Sequence, residues 1–321
     1  MNIGIKKILT SLLAIAGVFA GTSPANAERP APDNNVTVSM TVTASVADGK
    51  RMPSLNRNDI SVKQGKENLR IANWTPAQGS SAGLDLFILI DEGADSSLAL
   101  HLDDLRTFIG AQPATTLVGV GYTRNATVQI QQELTTDHEL AAKALRMPSG
   151  YSGAYASPYL SVADLMRRWP EDKNRREVLM LSDGVDRMGR SAPAHRGFTV
   201  NPDEQTAAAV AHRTGTVIHS IYVPAARRAR LGYWPRTNGQ TQMASLSQKT
   251  GGKSFYLGLQ MPVSLKPYLD ELQTTLANQY VLSFSAKPGN KPGLRSVKLS
   301  TEVAGVTLTT HEAVWVPASL N

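Results

Sequence analysis

The sequence predicts an α/β fold: a doubly wound, mostly parallel sheet with a flanking β-sandwich-like module built from the N- and C-terminal segments. Three observations carry this. Between Leu84 and Ala277, short apolar runs alternate with segments whose apolar residues recur at helical spacing, the order that yields a parallel sheet covered on both faces. Outside that region, Val36–Val46 (VTVSMTVTASV) and the segments from Gln279 onward carry β-branched residues with period two. The chain has 321 residues, 41% apolar and only 18% charged, and no cysteine, so buried cores and not disulfides must hold it together.

Taken in order, Lys6 and Lys7 precede an apolar run, Ile8–Gly21, and Ala25-Asn26-Ala27 offers a small-x-small site before Glu28. That reads as a secretory signal peptide over residues 1–27. The run is about 14 residues, short of the roughly 20 a spanning helix needs, and no later segment is as long. The mature chain is therefore expected to lack a transmembrane segment and to be exported, either periplasmic or secreted. No cysteine follows the cleavage point, which excludes lipid attachment through cysteine. The formal charge of +7 falls to about +5 without Lys6 and Lys7, a mildly basic surface.

Residues 28–35 read as a linker. Residues 36–80 form an N-terminal β module: strands at Val36–Val46, Asp59–Val62 and Leu69–Trp74, with turn chemistry at Asp48-Gly49 and Gly65. At about 45 residues it buries too little surface to stand alone. Residues 84–278 are the α/β domain. Its strands are Leu84–Ile90, Thr116–Tyr122, Thr127–Leu134, Glu177–Ser182, Thr216–Val223 and Lys253–Leu257. Helices are expected at Leu98–Ile109, Asp137–Leu145, Ser157–Trp169, Asp203–Arg213, near Gln240–Lys249 and at Val263–Ala277. The tight Arg124-Asn125 turn makes one edge strand antiparallel. Residues 279–317 return to strands, at Gln279–Ser285, Leu294–Thr301 and Val306–Val316, expected to pair with 36–80 because each flank needs a partner to complete a core.

Ligands of open α/β sheets bind beyond the carboxyl ends of the strands, so the residues there matter most. Asp91-Glu92-Gly93-Ala94-Asp95 follows the first such strand, Asp183-Gly184 follows Glu177–Ser182, and Ser157 opens a helix before Pro158. Ser before Pro is also an ordinary helix N-cap. Together these pieces resemble the metal-ion-dependent adhesion site of von Willebrand factor type A domains. In that family an Asp-x-Ser-x-Ser loop, a later Thr and an Asp-Gly surround one Mg²⁺ that is open to a partner's carboxylate. The resemblance implies the type A fold and makes Asp91, Asp95, Ser157 and Asp183 candidate metal ligands for Mg²⁺ or Ca²⁺, hard cations that favour oxygen donors. The pattern is degenerate: Gly93 and Asp95 stand where the family has Ser, and Ser157 where it has Thr. A metal-free remnant is the alternative. The flanks, Gly49–Leu55, Asn58–Val62, Gly65-Lys66, Tyr280–Leu282, Arg295–Lys298 and Gly305-Val306, resemble a bacterial, largely acidobacterial, group of exported type A-related proteins.

Arg227, Arg228 and Arg230 beside Tyr233 and Trp234 form a candidate partner-contact loop on the same face. One such cluster without a nucleic-acid-binding motif argues against nucleic acid as partner. The six histidines lack metal-ligand spacing, and neither a Gly-x-Ser-x-Gly elbow nor a P-loop occurs. The function expected is therefore that of an exported binding, adhesion or scaffold protein contacting a protein or surface glycan, not an enzyme. The alternatives are a structural envelope-assembly protein with an inert site, and a metal-assisted hydrolase.

Overall fold

The computed structural model describes residues 35–47, 51–170, 174–188, 200–226, 233–256 and 261–318. The expected leader, the linker up to residue 34, the Asp48-Gly49 turn and Arg227, Arg228 and Arg230 lie outside the described residues. Chain order is β1 (Val36–Val46), β2 (Ile60–Gln64), β3 (Glu67–Asn68), β4 (Ile71–Pro76), β5 (Leu84–Asp91), α1 (Leu102–Gly110), β6 (Thr116–Arg124), β7 (Thr127–Thr135), α2 (His138–Lys143), α3 (Pro158–Arg168), β8 (Arg175–Ser182), α4 (Pro202–Thr214), β9 (Thr216–Tyr222), α5 (Tyr233–Lys249), β10 (Ser254–Phe255), α6 (Lys266–Ala277), β11 (Gln279–Ala286), β12 (Gly293–Ser296), β13 (Lys298–Thr301), β14 (Val306–Thr310) and β15 (Ala313–Val316).

The apolar run of β5 is buried at every position because the strand lies inside a six-stranded sheet ordered β10-β9-β8-β5-β6-β7. Leu84, Leu86, Ile88 and Ile90 pack with α1, α2 and α6, while Phe87 and Leu89 pack with α3, α4 and α5, so helices cover both faces. All pairings are parallel except β6–β7. That hairpin turns on Asn125 (φ 51) and Ala126 (φ 60), the left-handed pair of a two-residue turn whose twist suits the strands it joins. The doubly wound α/β fold expected from the sequence is present. From β5 the chain moves outward to β6 on one side, and from β8 to β9 on the other, which makes the gap between the ends of β5 and β8 the switch point of the sheet.

Strands from the two chain ends complete each other. β1 lies between β11 and β14, β4 pairs with β11, and β13 pairs with β2, all antiparallel. Their inner faces share one core that includes Met40, Val42, Ile60, Val62, Trp74, Phe284 and Val314. Trp74 stacks on Tyr280 at 4.4 Å and donates its indole N–H to the Leu55 carbonyl (3.0 Å), so its one polar atom is satisfied inside the core.

Two of the expected strands are each divided. Within 294–301, Val297 breaks the ladder: its N–H bonds to the Glu312 carbonyl, and β12 and β13 join different sheets. Within 306–316, Glu312 donates its N–H to the Lys249 carbonyl at the end of α5, which separates β14 from β15 and turns His311 inward. Residues 98–101, expected to open an α-helix, belong instead to a 3-10 turn over Ser96–His101, capped by Asp95, before α1 begins.

His311 is buried edge-to-face on His212, with ring centroids 5.6 Å apart. Burial, followed by the neighbouring His212, pushes its pKa down to about 3. The unfolded chain binds this proton from about pH 6.5 downward while the folded chain refuses it, so the stabilisation is complete above that pH and is lost on acidification towards pH 3. Between pH 7 and 5 the loss from this group should be about 2 kcal/mol. Urea unfolding at the two pH values checks it: His311→Leu should remove that share of the pH dependence.

Candidate functional site

Asp91 ends β5 and Asp183 follows β8, so the switch point brings the two carboxylates to one place, and each is only 3% exposed. Hydrogen bonds to protein groups hold Asp91. Oδ1 accepts from the Gly93 N–H (2.9 Å) and the Thr123 hydroxyl (3.3 Å), and Oδ2 accepts from the Ser182 hydroxyl (2.8 Å). Asp183 is held by charge. Arg187 Nη2 donates to Oδ2 and Nη1 to Oδ1 (3.3 Å), and the Val185 N–H adds a third bond (3.0 Å). Burial pushes the Asp183 carboxyl above its usual range, and the charge of Asp91 adds to this against the pull of Arg187. Burial works against the Arg187 charge, but Asp183, then Asp91 and Asp186, more than offset it and raise its pKa.

The other two candidate ligands do different work. Ser157 caps α3, accepting the Leu160 N–H (3.3 Å), and its hydroxyl donates to Asp186 Oδ2 (3.1 Å). Asp95 accepts the Ser97 N–H (3.0 Å) as the cap of the 3-10 turn, while its own N–H bonds to the Pro224 carbonyl (2.8 Å). A Cβ on Gly93 would come 2.5 Å from the Ser152 hydroxyl, so the space a side chain would need there is taken.

A Mg²⁺ or Ca²⁺ ion takes six or more oxygen ligands, and in this arrangement the candidate oxygens are engaged by protein groups. Among the described residues no group of three or more His, Cys, Asp or Glu side chains is arranged to hold a metal. The space bounded by Asp91, Thr123, Ser152 and Ser157 has no volume open to a sphere the size of water. The oxygens of Asp91 and Asp183 already face protein donors. Beside them, Glu92 is held by Arg146 (2.8 and 3.0 Å) and the Ser149 N–H (2.8 Å). Burial would raise the Glu92 pKa, but these bonds outweigh it and set its carboxyl below the usual value.

Sequence reasoning missed Arg187, although it named Asp183 and Gly184 close before it. Arg187 lies four positions after Asp183 in a non-helical segment, where such spacing does not imply contact. Thr123 and Ser182 were missed because strand-end hydroxyls carry no pattern of their own. Of the candidate contact loop, Tyr233 is exposed and packs edge-to-face on Trp234, ring centroids 5.4 Å apart, at the start of α5.

No family model matches the chain, and no match was found among curated proteins. Among solved structures, the von Willebrand factor type A protein from Catenulispora acidiphila is 10% identical, with 83% of this chain and 76% of that one covered and a TM-score of 0.44. The vWF domain of the type V pili tip protein Mfa5 from Porphyromonas gingivalis is 10% identical, with 60% and 95% covered and a TM-score of 0.42. An aerotolerance-related membrane protein from Bacteroides fragilis is 12% identical, with 60% and 98% covered and a TM-score of 0.42. Two of the three carry the name of the family that the strand-end residues resemble. The fold assignment itself rests on the strand order and pairing of this chain.

The loop that delivers Arg187 is pressed against α5. Gly184 has φ +68, and a Cβ there would lie 2.3 Å from the Gly239 carbonyl oxygen. Gly184→Ala should therefore destabilise the protein by about 3 kcal/mol or more, from left-handed strain plus a backbone clash. Gly305→Ala, also at positive φ (+77) but in open space, should cost only about 1 kcal/mol. Denaturant unfolding of the two variants checks the contrast.

Proposed function

We propose that this chain is an exported binding protein that presents the carboxyl edge of its parallel sheet to a protein or surface glycan partner, without a bound metal and without catalysis. The observation that supports this reading most is the contrast between the floor and the rim of that edge. The floor carboxylates are buried and satisfied internally. The rim carries Met147, Tyr151, Tyr155, Tyr233 and Tyr256, all large and exposed.

Several contacts tie these rim loops to the floor. The Ser149 N–H reaches Glu92, and the Asn125 N–H reaches the Ser152 carbonyl. Tyr256 packs edge-to-face on Tyr222 at the end of β9 (6.2 Å). Tyrosine suits such a rim: it has a broad apolar ring with a polar tip, and ordering its two side-chain torsions costs little entropy. A hydrolytic reading needs a free nucleophile or base, whereas Ser157 is committed to capping α3 and to Asp186. No helix among the described residues is long and apolar enough to cross a membrane.

The reading is tested with immobilised residues 28–321 against envelope proteins and a glycan array. The variant Tyr151→Ala/Tyr155→Ala/Tyr233→Ala should bind the captured partner at least about tenfold more weakly, while its stability stays near wild type. Lys298→Ala/Glu302→Ala, at exposed positions in and just after β13, should bind as wild type. Equal binding by the triple variant would remove this face from consideration. Export is checked separately by the mass of the protein recovered from cells, which should lack residues 1–27.

A further inference from the structure

We propose that Arg187 is a resident counter-cation, a protein-supplied charge at the switch point that takes the place of a divalent ion and makes the site indifferent to metals. The inference does not depend on the partner-binding reading, and its test involves no partner.

The argument starts from charge. Asp91 and Asp183 are buried close enough for the charge of one to raise the pKa of the other, and Asp186 lies within reach of the same guanidinium. Carboxylates withdrawn from water need compensation from hydrogen bonds, from a cation or by protonation. Asp91 has its compensation in three donors. Asp183 has one backbone N–H besides Arg187, and so depends on the cation.

Arginine suits this task better than a loosely held ion. Its planar fork meets both Asp183 oxygens at once, and a guanidinium gives up hydration more readily than an ammonium or a small divalent ion. The side chain is also fixed from several directions. Nη1 donates to the Val185 carbonyl (2.9 Å), and the Arg187 backbone N–H donates to the Ala156 carbonyl just before α3 (2.7 Å). The loop behind it is clamped to α5 through Gly184, whose carbonyl accepts the Tyr159 hydroxyl (2.8 Å). A cation tethered four residues from its partner is present at all times. A metal ion entering from solution would have to displace the guanidinium from both Asp183 oxygens and shed its own water.

The test uses residues 28–321, stripped of metal, as wild type and as Arg187→Gln, Arg187→Lys and Asp183→Asn/Arg187→Gln. Melting temperature and isothermal titration are read with Mg²⁺, Ca²⁺ or Mn²⁺ at matched ionic strength. Wild type should show no saturable binding up to about 10 mM metal and the same melting temperature with chelator as with metal. Arg187→Gln should melt roughly 10 °C lower, because it leaves a buried carboxylate without its cation, and divalent ions should restore at least about 3 °C of this. Arg187→Lys should lie between the two. Asp183→Asn/Arg187→Gln removes both charges, so it should recover most of the stability and ignore metals.

If Arg187→Gln fails to fold, recovery of a folded protein in the double variant still supports charge compensation, and failure of that recovery overturns it. The proposal is equally overturned if wild type binds a divalent ion saturably and loses it in Asp183→Asn. An Arg187→Gln variant as stable as wild type, or one that folds and ignores metals, would also overturn it.

Discussion

The placement of β5 at the centre of the sheet is the constraint from which the rest follows. A strand flanked on both sides and covered on both faces tolerates a polar residue only where protein groups satisfy it, as Trp169 and Asn174 do for Asp85 near its start. From Leu86 to Ile90 the strand is wholly apolar; it ends in Asp91, and Asp183 follows the end of the neighbouring β8. Two carboxylates at the junction of two parallel strands require a local environment built to hold them. The residues that do so, Thr123, Ser182, Gly93 and Arg187, come from four separate strand ends or loops. The switch point is thus fixed as much by electrostatic need as by topology.

A second layer of polar contacts joins the parallel sheet to the chain-end strands. The Ala44 N–H donates to the Asn278 carbonyl, Glu312 to Lys249, and Arg175 to the buried Gln279 side chain. Gly251 (φ +77) brings its backbone against Thr310, where a Cβ would lie 2.7 Å from the chain. Inside the sheet, the Lys253 N–H donates to Nδ1 of His219, which leaves Nε2 to donate to Glu177 (2.6 Å) and ties β10 to β9 and β8 through side chains. Buried polar groups of this kind specify one arrangement, because any slip would leave several of them without partners.

Much of the fold was legible because the signals were strong and local. Leu84–Ile90 is too apolar for a half-exposed strand, the hairpin was legible although its turn falls on Asn125-Ala126, one residue later than the expected Arg124-Asn125, and β1 has its period-two pattern over its full length. The pairing of the chain ends followed from the insufficiency of each flank alone. Element breaks at Val297 and Glu312 were not legible, since each depends on a carbonyl far away in sequence. The candidate site was half legible. Topology placed Asp91 and Asp183 together, and Ser157 at a helix start. What those groups contact was hidden, because Arg187 looks like any loop arginine until the Gly184 turn folds it back, and Asp95 serves as an ordinary cap.

The position of β1 between β11 and β14 also bears on how the protein comes to be folded. Ser39 bonds to Ser283 across 244 residues of sequence, so both long edges of β1 stay open until nearly the whole chain is available. Contacts so distant in sequence form slowly, because closing the intervening loop costs entropy before any pairing is gained. Until then β1, rich in valine and threonine and without charge over Val36–Val46, is an unguarded strand of the kind that pairs with other chains. The α/β region can assemble from near neighbours, whereas the chain-end module cannot be completed before residues 306–310 are available. Its closure is the step at which self-association competes most directly with completion of the native fold.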